Sequence, residues 1–335
     1  MQKKNSATIY DVAHRVGVSL ATVSRVVNGN SNVRDSTKRK VLDAIEELGY
    51  HPNAVARGLA SKKTTTIGVV MPDVTDVYYS ELARGIDDVA NMYHYDVLLT
   101  NTDEDPVRET MAVNNLASKQ VDGIIFMGNE LDHEVVNTIS GVNAPVVLAG
   151  SLDSDEQLPS VNIDYVAAIK EAVTAVIKNG HNRVAIVTGP VAHAINGMHR
   201  LVGYKKALEE AQIEFDDSLL FVTHQDYAAG LQVAERILAT GATAVVTYDD
   251  EIAIGIMNYL RDHGKKIPED FEIITSNDTK FTIITRPQVT SIGQPKYDIG
   301  AVAMRMLTKL MNNEKIELTQ VKLPHTLERR GTTIN

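Results

Sequence analysis

A chain of 335 residues with 44% hydrophobic and 23% charged side chains has room for two or three domains with a sizeable core, and its composition carries no sign of disorder. It contains no cysteine, which excludes disulfides and thiolate metal sites; with no apolar leader after Met1 and no apolar run long enough to span a bilayer, a cytoplasmic protein is expected. The net charge of −10 argues against nucleic acid until it is divided: residues 1–65 hold eleven Lys and Arg against five Asp and Glu, and the remainder 22 against 38, so a small basic head precedes an acidic body.

Thr8-Ile9-Tyr10-Asp11 has the pattern of a capping box, and Ile9, Val12, Ala13 and Val16 follow at helical spacing until Gly17-Val18-Ser19 breaks the run. Ser19 can cap a second short helix over 20–27, whose buried stripe is Ala21 or Val23, with Val26 and Val27. Two short helices joined by a tight glycine-containing turn predict a helix-turn-helix, the second helix fitting the major groove of B-DNA. A third helix is expected from the cap cluster Asp35-Ser36-Thr37 through Val41, Leu42, Ile45 and Leu48, closed by Gly49. Pro52 suits the first turn of a further helix, on which Leu59 stands exposed beside the basic Ser61-Lys62-Lys63 run.

Beyond residue 65 buried strands alternate with amphipathic helices: strands at 66–72, 97–100, 121–127 and 146–149, with helices over 79–93, 106–119 and 130–140. A second series begins near Val161, with helices over 166–178, 200–211, 228–239 and 251–263 and strands at 183–187, 219–223, 244–247 and 272–275. The fold class predicted is α/β, a three-helix head and hinge followed by two doubly wound lobes of parallel sheet with a cleft between them. No dinucleotide, P-loop or nucleophile-elbow motif follows any strand, so an enzyme is not indicated. His193 and His199 lack the spacing of a helical metal pair, and no metal or cofactor is expected. Asp249-Asp250-Glu251 reads equally well as a helix cap or as cleft lining.

The stretches TIYDVA, VSLATVSRVVNGN and LGYHPNAVARGLASKKT resemble the LacI/GalR family of bacterial repressors, and the likeness continues through the rest of the chain. It implies a helix-turn-helix domain over 1–52, a hinge over 53–65 and a periplasmic-binding-protein-like body over 66–335. The N-lobe would comprise about 66–160 and 280–295, the C-lobe about 161–279 and 320–335. It further implies a homodimer on a pseudo-palindromic, double-stranded DNA operator. Leu20, Ala21 and Arg25 would read bases, while Thr8, Tyr10, Ser19, Thr22, Ser24, Asn28 and Asn32 grip phosphates. Leu59, flanked by Ala56, Arg57 and Ala60, would enter the minor groove as a wedge. The hinge is too short to be a helix in water alone, so it would order when two copies meet on DNA.

Two inputs are then open. In sugar-responsive members, repressors of a local operon, a small sugar or sugar phosphate enters the cleft, and Arg200, Asn277 and Asp250 match its lining. Asn277, however, stands where the family carries an aspartate, which weakens recognition of sugar hydroxyls. Within the family, RGLASKKTTT and QPKYDIGAVAMRMLTK look like the branch that governs carbon catabolite control. There the partner is the phosphocarrier protein HPr phosphorylated on serine. Arg305, Lys309 and Thr308 would hold the phosphate, Asp298 would face a basic or histidine side of the partner, and Met306, Asp73 and Tyr93 would complete the surface. A small-molecule co-effector is compatible with this reading.

Overall fold

The computed structural model describes residues 7–27, 32–50, 63–128, 131, 133–155 and 157–334. Its contacts divide the chain into two compact units, Met1–Thr64 and Thr65–Asn335.

In the first unit, α1 (Ile9–Val16) opens with the capping box: the Thr8 backbone N–H donates to the Asp11 carboxylate at 2.7 Å, and the Asp11 N–H donates to the Thr8 hydroxyl at 3.4 Å. Gly17 ends it at φ 72°, a conformation open to glycine at no steric cost. The Ser19 hydroxyl accepts from the Thr22 N–H, and α2 (Leu20–Val27) follows. The cap expected from Asp35 to Thr37 does not form: α3 (Asp35–Leu48) has already begun at Asp35, and Arg34 at its N-cap gives no side-chain hydrogen bond to the first turn. Asp35 instead stands in the first turn, where its charge meets the positive end of the helix dipole. Val12, Ala13, Val23, Val26, Val41, Ala44 and Tyr50 form the core, so Val23 takes the buried place in α2 and Ala21 faces outward.

The second unit holds two six-stranded sheets. The strands are β1 (Thr66–Met71), β2 (Asp96–Asn101), β3 (Gly123–Phe126), β4 (Val146–Ala149), β5 (Ser160–Ile163), β6 (Val184–Thr188), β7 (Leu220–Val222), β8 (Ala244–Thr247), β9 (Glu272–Thr275), β10 (Thr290–Gly293), β11 (Gln320–Leu323) and β12 (Thr326–Glu328). One sheet runs β11-β5-β4-β3-β1-β2, the other β12-β10-β9-β8-β6-β7. Every pairing is parallel except β10 with β12. The central strands, Gly123–Phe126 and Ala244–Thr247 among them, are buried along their whole length, as parallel strands covered by helices on both faces must be.

The helices of the first lobe are α4 (Val77–Met92), α5 (Pro106–Ser118) and α6 (His133–Gly141). Those that follow are α7 (Tyr165–Lys178), α8 (Leu201–Glu210), α9 (Tyr227–Ala239), α10 (Asp250–Asp262), α11 (Lys280–Ile284) and α12 (Lys296–Met311). The helix expected over 200–211 is preceded by a π-helical stretch, Ala194–Arg200. Acidic caps start most of these helices, among them Asp76, Asp105, Asp164, Asp226 and Asp249, each accepting from a backbone N–H of the first turn.

The lobes do not divide as the sequence suggested. Residues 161–163 and 320–323 belong to the first sheet, where β11 pairs with β5 in the register Val321↔Val161. Residues 290–293, expected in the first lobe, pair with β9 in the second sheet. Strands of three or four residues carry no periodic signal of their own, and hydrogen bonding across the crossovers decides which sheet they join.

α12 leaves the second sheet and packs on the first, lying along α4. The two helices meet through glycines. A Cβ at Gly85 would fall on the Tyr297 carbonyl oxygen, and one at Gly300 on the Leu82 carbonyl oxygen.

Candidate functional site

The outer face of the head is a small, mixed surface. Leu20 is 37% exposed, and Ala21 and Arg25 also face solvent on α2, with Thr22 and Ser24 half-buried beside them. Tyr10 is 68% exposed on α1, and Thr8, Ser19 and Asn32 are exposed as well. Some of these hydroxyls already serve the fold: Thr8 Oγ1 donates to Asp11 at 2.7 Å, and Ser19 Oγ lies 2.9 Å from Thr22 Oγ1. The Thr8 hydroxyl and backbone bonds hold the Asp11 carboxyl below its usual range. An Arg15–Glu47 ion pair at 2.5 Å fastens α1 to α3. An exposed guanidinium on a helix with small neighbours can approach a base edge, where two donors match guanine O6 and N7. Asn28, Ala56, Arg57, Leu59 and Ala60 lie outside the described residues.

Between the lobes, at the C-terminal ends of the strands, opens a cleft of about 410 Å³. Among the described residues eight carboxylates line it: Asp73, Asp76, Asp103, Glu104, Asp226, Asp249, Asp250 and Glu251. Asp76 caps α4 through the Tyr78 N–H and, from the first lobe, accepts a 2.8 Å bond from Gln225 Nε2 of the second. Burial raises its carboxyl to about 6, with Glu251 and Asp73 adding repulsion. Burial, then the neighbouring Asp250 and Asp76, raises Asp249 to about 8. Asp250 is also raised by burial, although its oxygens accept from Thr275 Oγ1 at 2.8 Å and the Thr279 N–H at 2.7 Å. Both of its oxygens therefore already serve its own lobe. Asn277 is likewise occupied, donating to Asp249 at 3.3 Å and accepting from Gln294 at 3.1 Å.

Arg200 is 5% exposed, its guanidinium 5.4 Å from the ring centres of both Tyr165 and Tyr248. Nη1 donates to Asn196 at 2.7 Å, and Nε has no hydrogen-bond partner among the described residues. Tyr78 and Tyr79 close the other side of a cavity of about 10 Å³, room for roughly one water molecule. This tyrosine box escaped the sequence reading. Its available signal was position, since Tyr165 and Tyr248 stand just beyond the ends of β5 and β8, where doubly wound sheets hold ligands.

On the first lobe a hollow of about 460 Å³ gathers Tyr93 with Arg305, Met306, Thr308 and Lys309, walled on its outer side by Asn312, Glu314, Ile316, Glu317, Leu318 and Val321. Arg305 and Lys309 are exposed, Tyr93 is 48% exposed, and Met306 is buried. Two expected members are not brought to it. Asp298 is exposed near the start of α12 but does not line the hollow. Asp73 lines the cleft instead, because it follows the end of β1, and its carboxylate accepts from the Thr75 N–H and hydroxyl at 2.8 Å each. Thr308 lines the hollow, yet it is buried and its hydroxyl donates to the Met304 carbonyl at 2.9 Å, so that proton is not offered to a phosphate. The outer wall over 314–321 was not foreseen; Ile316 and Leu318 alternating in a polar stretch were the one hint.

Among the described residues no group of His, Asp and Glu could hold a metal ion, and no helix is long and apolar enough to cross a membrane.

Comparison with known proteins agrees with this division. Residues 8–53 match the bacterial regulatory proteins of the lacI family, and residues 64–330 match the periplasmic binding proteins and sugar binding domain of the LacI family. The chain is 52% identical over 333 residues to catabolite control protein A of Streptococcus mutans, covering 99% of this chain and 100% of that protein. It is 48% identical to the protein of the same name from Priestia megaterium, covering 98% and 99%. Among solved structures, transcription regulator CcpA of Lactococcus lactis is 42% identical with a TM-score of 0.78, covering 80% of this chain and 99% of that one. A lac repressor dimer bound to operator and the anti-inducer ONPF is 26% identical with a TM-score of 0.89, covering 99% and 100%.

Proposed function

Because the chain belongs to the LacI family and is a DNA-binding transcription regulator similar to catabolite control protein A, we propose that it governs carbon catabolite control. It acts in the cytoplasm as a homodimer on a pseudo-palindromic operator, is activated by HPr phosphorylated on serine, and catalyses no reaction. The observation that carries the choice of effector is that Arg305 and Lys309 stand exposed beside Tyr93 on a hollow of about 460 Å³, whereas Asp250 and Asn277 in the cleft region already spend their polar atoms on hydrogen bonds within the fold. Arg305 and Lys309 supply charge-assisted bonds to a phosphate, Tyr93 and Met306 an apolar floor, and Asp298 a carboxylate for a basic side chain of the partner. Asp73, in the cleft, has no part in this surface.

On DNA, Arg25 reads guanine and Leu20 and Ala21 meet thymine methyls, while Thr8, Tyr10, Ser19, Thr22, Ser24, Asn28 and Asn32 position the head on phosphates. Leu59, with Ala56, Arg57 and Ala60, serves as the minor-groove wedge. The homodimer is supported by exposed apolar side chains: Leu99 on the edge strand β2 with Val107 and Met111 on α5 in the first lobe, and Val222 on the edge strand β7, Tyr227 on α9 and Ile283 and Ile284 on α11 in the second.

The second reading, a local repressor controlled by a sugar, draws on the 410 Å³ cleft and on a solved relative described as the transcriptional regulator CelR in complex with cellobiose. Titrating an operator with the protein alone, with HPr, with serine-phosphorylated HPr and with common sugars separates the two. The expected result is tighter binding with the phosphoprotein only; an effect produced entirely by a sugar would reject the HPr reading.

A further inference from the structure

At the first residue of α12 a lysine is buried where local rules do not favour one. Lys296 is 6% exposed, and a cation at a helix N-terminus opposes the helix dipole. Burying an ammonium costs free energy unless all its donors are satisfied. Two hydrogen bonds and an ion pair offset that cost here: Nζ donates to the Asn277 and Asp278 carbonyl oxygens at 2.8 Å each and lies 3.4 Å from a Glu81 carboxylate oxygen. The two carbonyls follow β9 of the second lobe, and Glu81 is on α4 of the first. One side chain thus ties both lobes together at the crossover from β10 to α12.

We infer that Lys296 is the positioning residue that couples a partner held on the outer half of α12 to the turn at Asn277 and Asp278, which follows β9 and leads into the cleft residue Thr279. The inference rests on reading that half of α12 as the docking surface for the phosphoprotein. The mechanical argument has three links. Arg305 and Lys309 belong to the same unbroken helix as Lys296. Backbone contact at Gly85 and Gly300 leaves α12 no slack against α4, so the two helices move as one body. The opposite end of that body bonds to the second lobe three times: through Lys296, through Asp76 with Gln225, and through Tyr78, whose hydroxyl donates to Gln294 at 3.3 Å. A shift of α12 under a docked partner therefore reaches the turn that holds Asn277 against Asp249.

The test is a complete binding cycle on the full-length protein and its Lys296→Met variant, which is unbranched, one heavy atom shorter, and removes the charge. Operator affinity is measured with and without serine-phosphorylated HPr, and phosphoprotein affinity is measured without DNA. The wild type is expected to gain roughly 5- to 150-fold in operator affinity, the usual range of coupling. Lys296→Met is expected to bind the phosphoprotein in the absence of DNA, and the operator in the absence of phosphoprotein, within about twofold of wild type, while its gain falls to about twofold or less. Lys296→Arg, which can still reach the carbonyls, should recover part of the gain. A fully responsive Lys296→Met overturns the inference, as does a loss of response matched by an equal loss of DNA-free phosphoprotein affinity, the mark of a merely structural role. If Lys296→Met does not fold, Glu81→Gln, which weakens only the tie to the first lobe, must lower the gain, and an unchanged gain overturns the inference. A wild-type protein that ignores the phosphoprotein overturns the docking reading as well, so the two failures are told apart in the wild-type arm.

Discussion

Gly300→Ala tests whether the seam between α4 and α12 is as tight as the backbone requires. The added Cβ lands on the Leu82 carbonyl oxygen, 2.9 Å from the carbonyl carbon and 3.2 Å from the Ile86 nitrogen. All three are backbone atoms, so no rotamer change relieves the overlap, and the helices must part by about 1 Å to restore contact distances. Leu82, Ile86, Val89, Ile299, Ala303 and Met304 are all buried near this seam. If some 40 atom pairs contribute about 0.1–0.2 kcal/mol each, a gap of that size forfeits a quarter to a half of roughly 4–8 kcal/mol. Alanine returns up to about 1 kcal/mol through its better helix propensity. The expected net loss is about 1–3 kcal/mol, in the usual range for overpacking, and the displaced α12 should also weaken phosphoprotein binding. Urea unfolding measures the first effect and titration the second. Gly141→Ala, at the end of α6 where a Cβ meets nothing within 4 Å, is the control and should be neutral. Gly85→Ala strikes the same seam from the other side, so adding it to Gly300→Ala should cost less than it does alone, because the helices have already parted. A Gly300→Ala protein as stable as wild type would refute the tight-seam argument.

Arg25→Ala should cost about 1–3 kcal/mol on the best operator and relax preference at one base pair per half-site, with unfolding unchanged because the side chain is exposed. A base-preference profile identical to wild type removes it from the readout. Arg305→Glu should abolish the response to serine-phosphorylated HPr and leave basal operator binding nearly intact; titrations with and without the phosphoprotein decide it, and a full response counts against the phosphate-holding role. Asp76 at about 6 and Asp249 at about 8 both lie above the unfolded carboxylate value of about 4, so the folded chain binds more protons between those limits. Their contribution to stability is therefore full below about pH 4 and is lost as pH rises, through about 6 for Asp76 and about 8 for Asp249. Asp249→Asn should flatten the upper part of a plot of urea-unfolding free energy against pH; an unaltered slope there means that Asp249 is ionised in the folded protein.

What the sequence by itself determined lies in rules that act over a few residues. The Thr8 and Asp11 box, the left-handed Gly17 and Gly49, the buried Val12, Val26 and Val41, and the apolar strands at 146–149, 244–247 and 272–275 each follow from neighbours within a turn or two, whereas the choice of Val23 over Ala21 did not. The segregation of charge between head and body was legible for the same reason, since it needs only the order of residues. Resemblance added the surface on α12, and the structure brings Tyr93 to Arg305 and Lys309 there while leaving Asp73 in the cleft. Only the tertiary structure decided which sheet β5, β10 and β11 join, because a four-residue strand is defined by its partner. Only close packing revealed that four tyrosines fill the space beside Arg200, that the Thr308 proton is already committed, and that Lys296 joins carbonyls of one lobe to a carboxylate of the other. Each of these depends on distances between segments tens to hundreds of residues apart, which pairing and helix approach set and local periodicity does not encode.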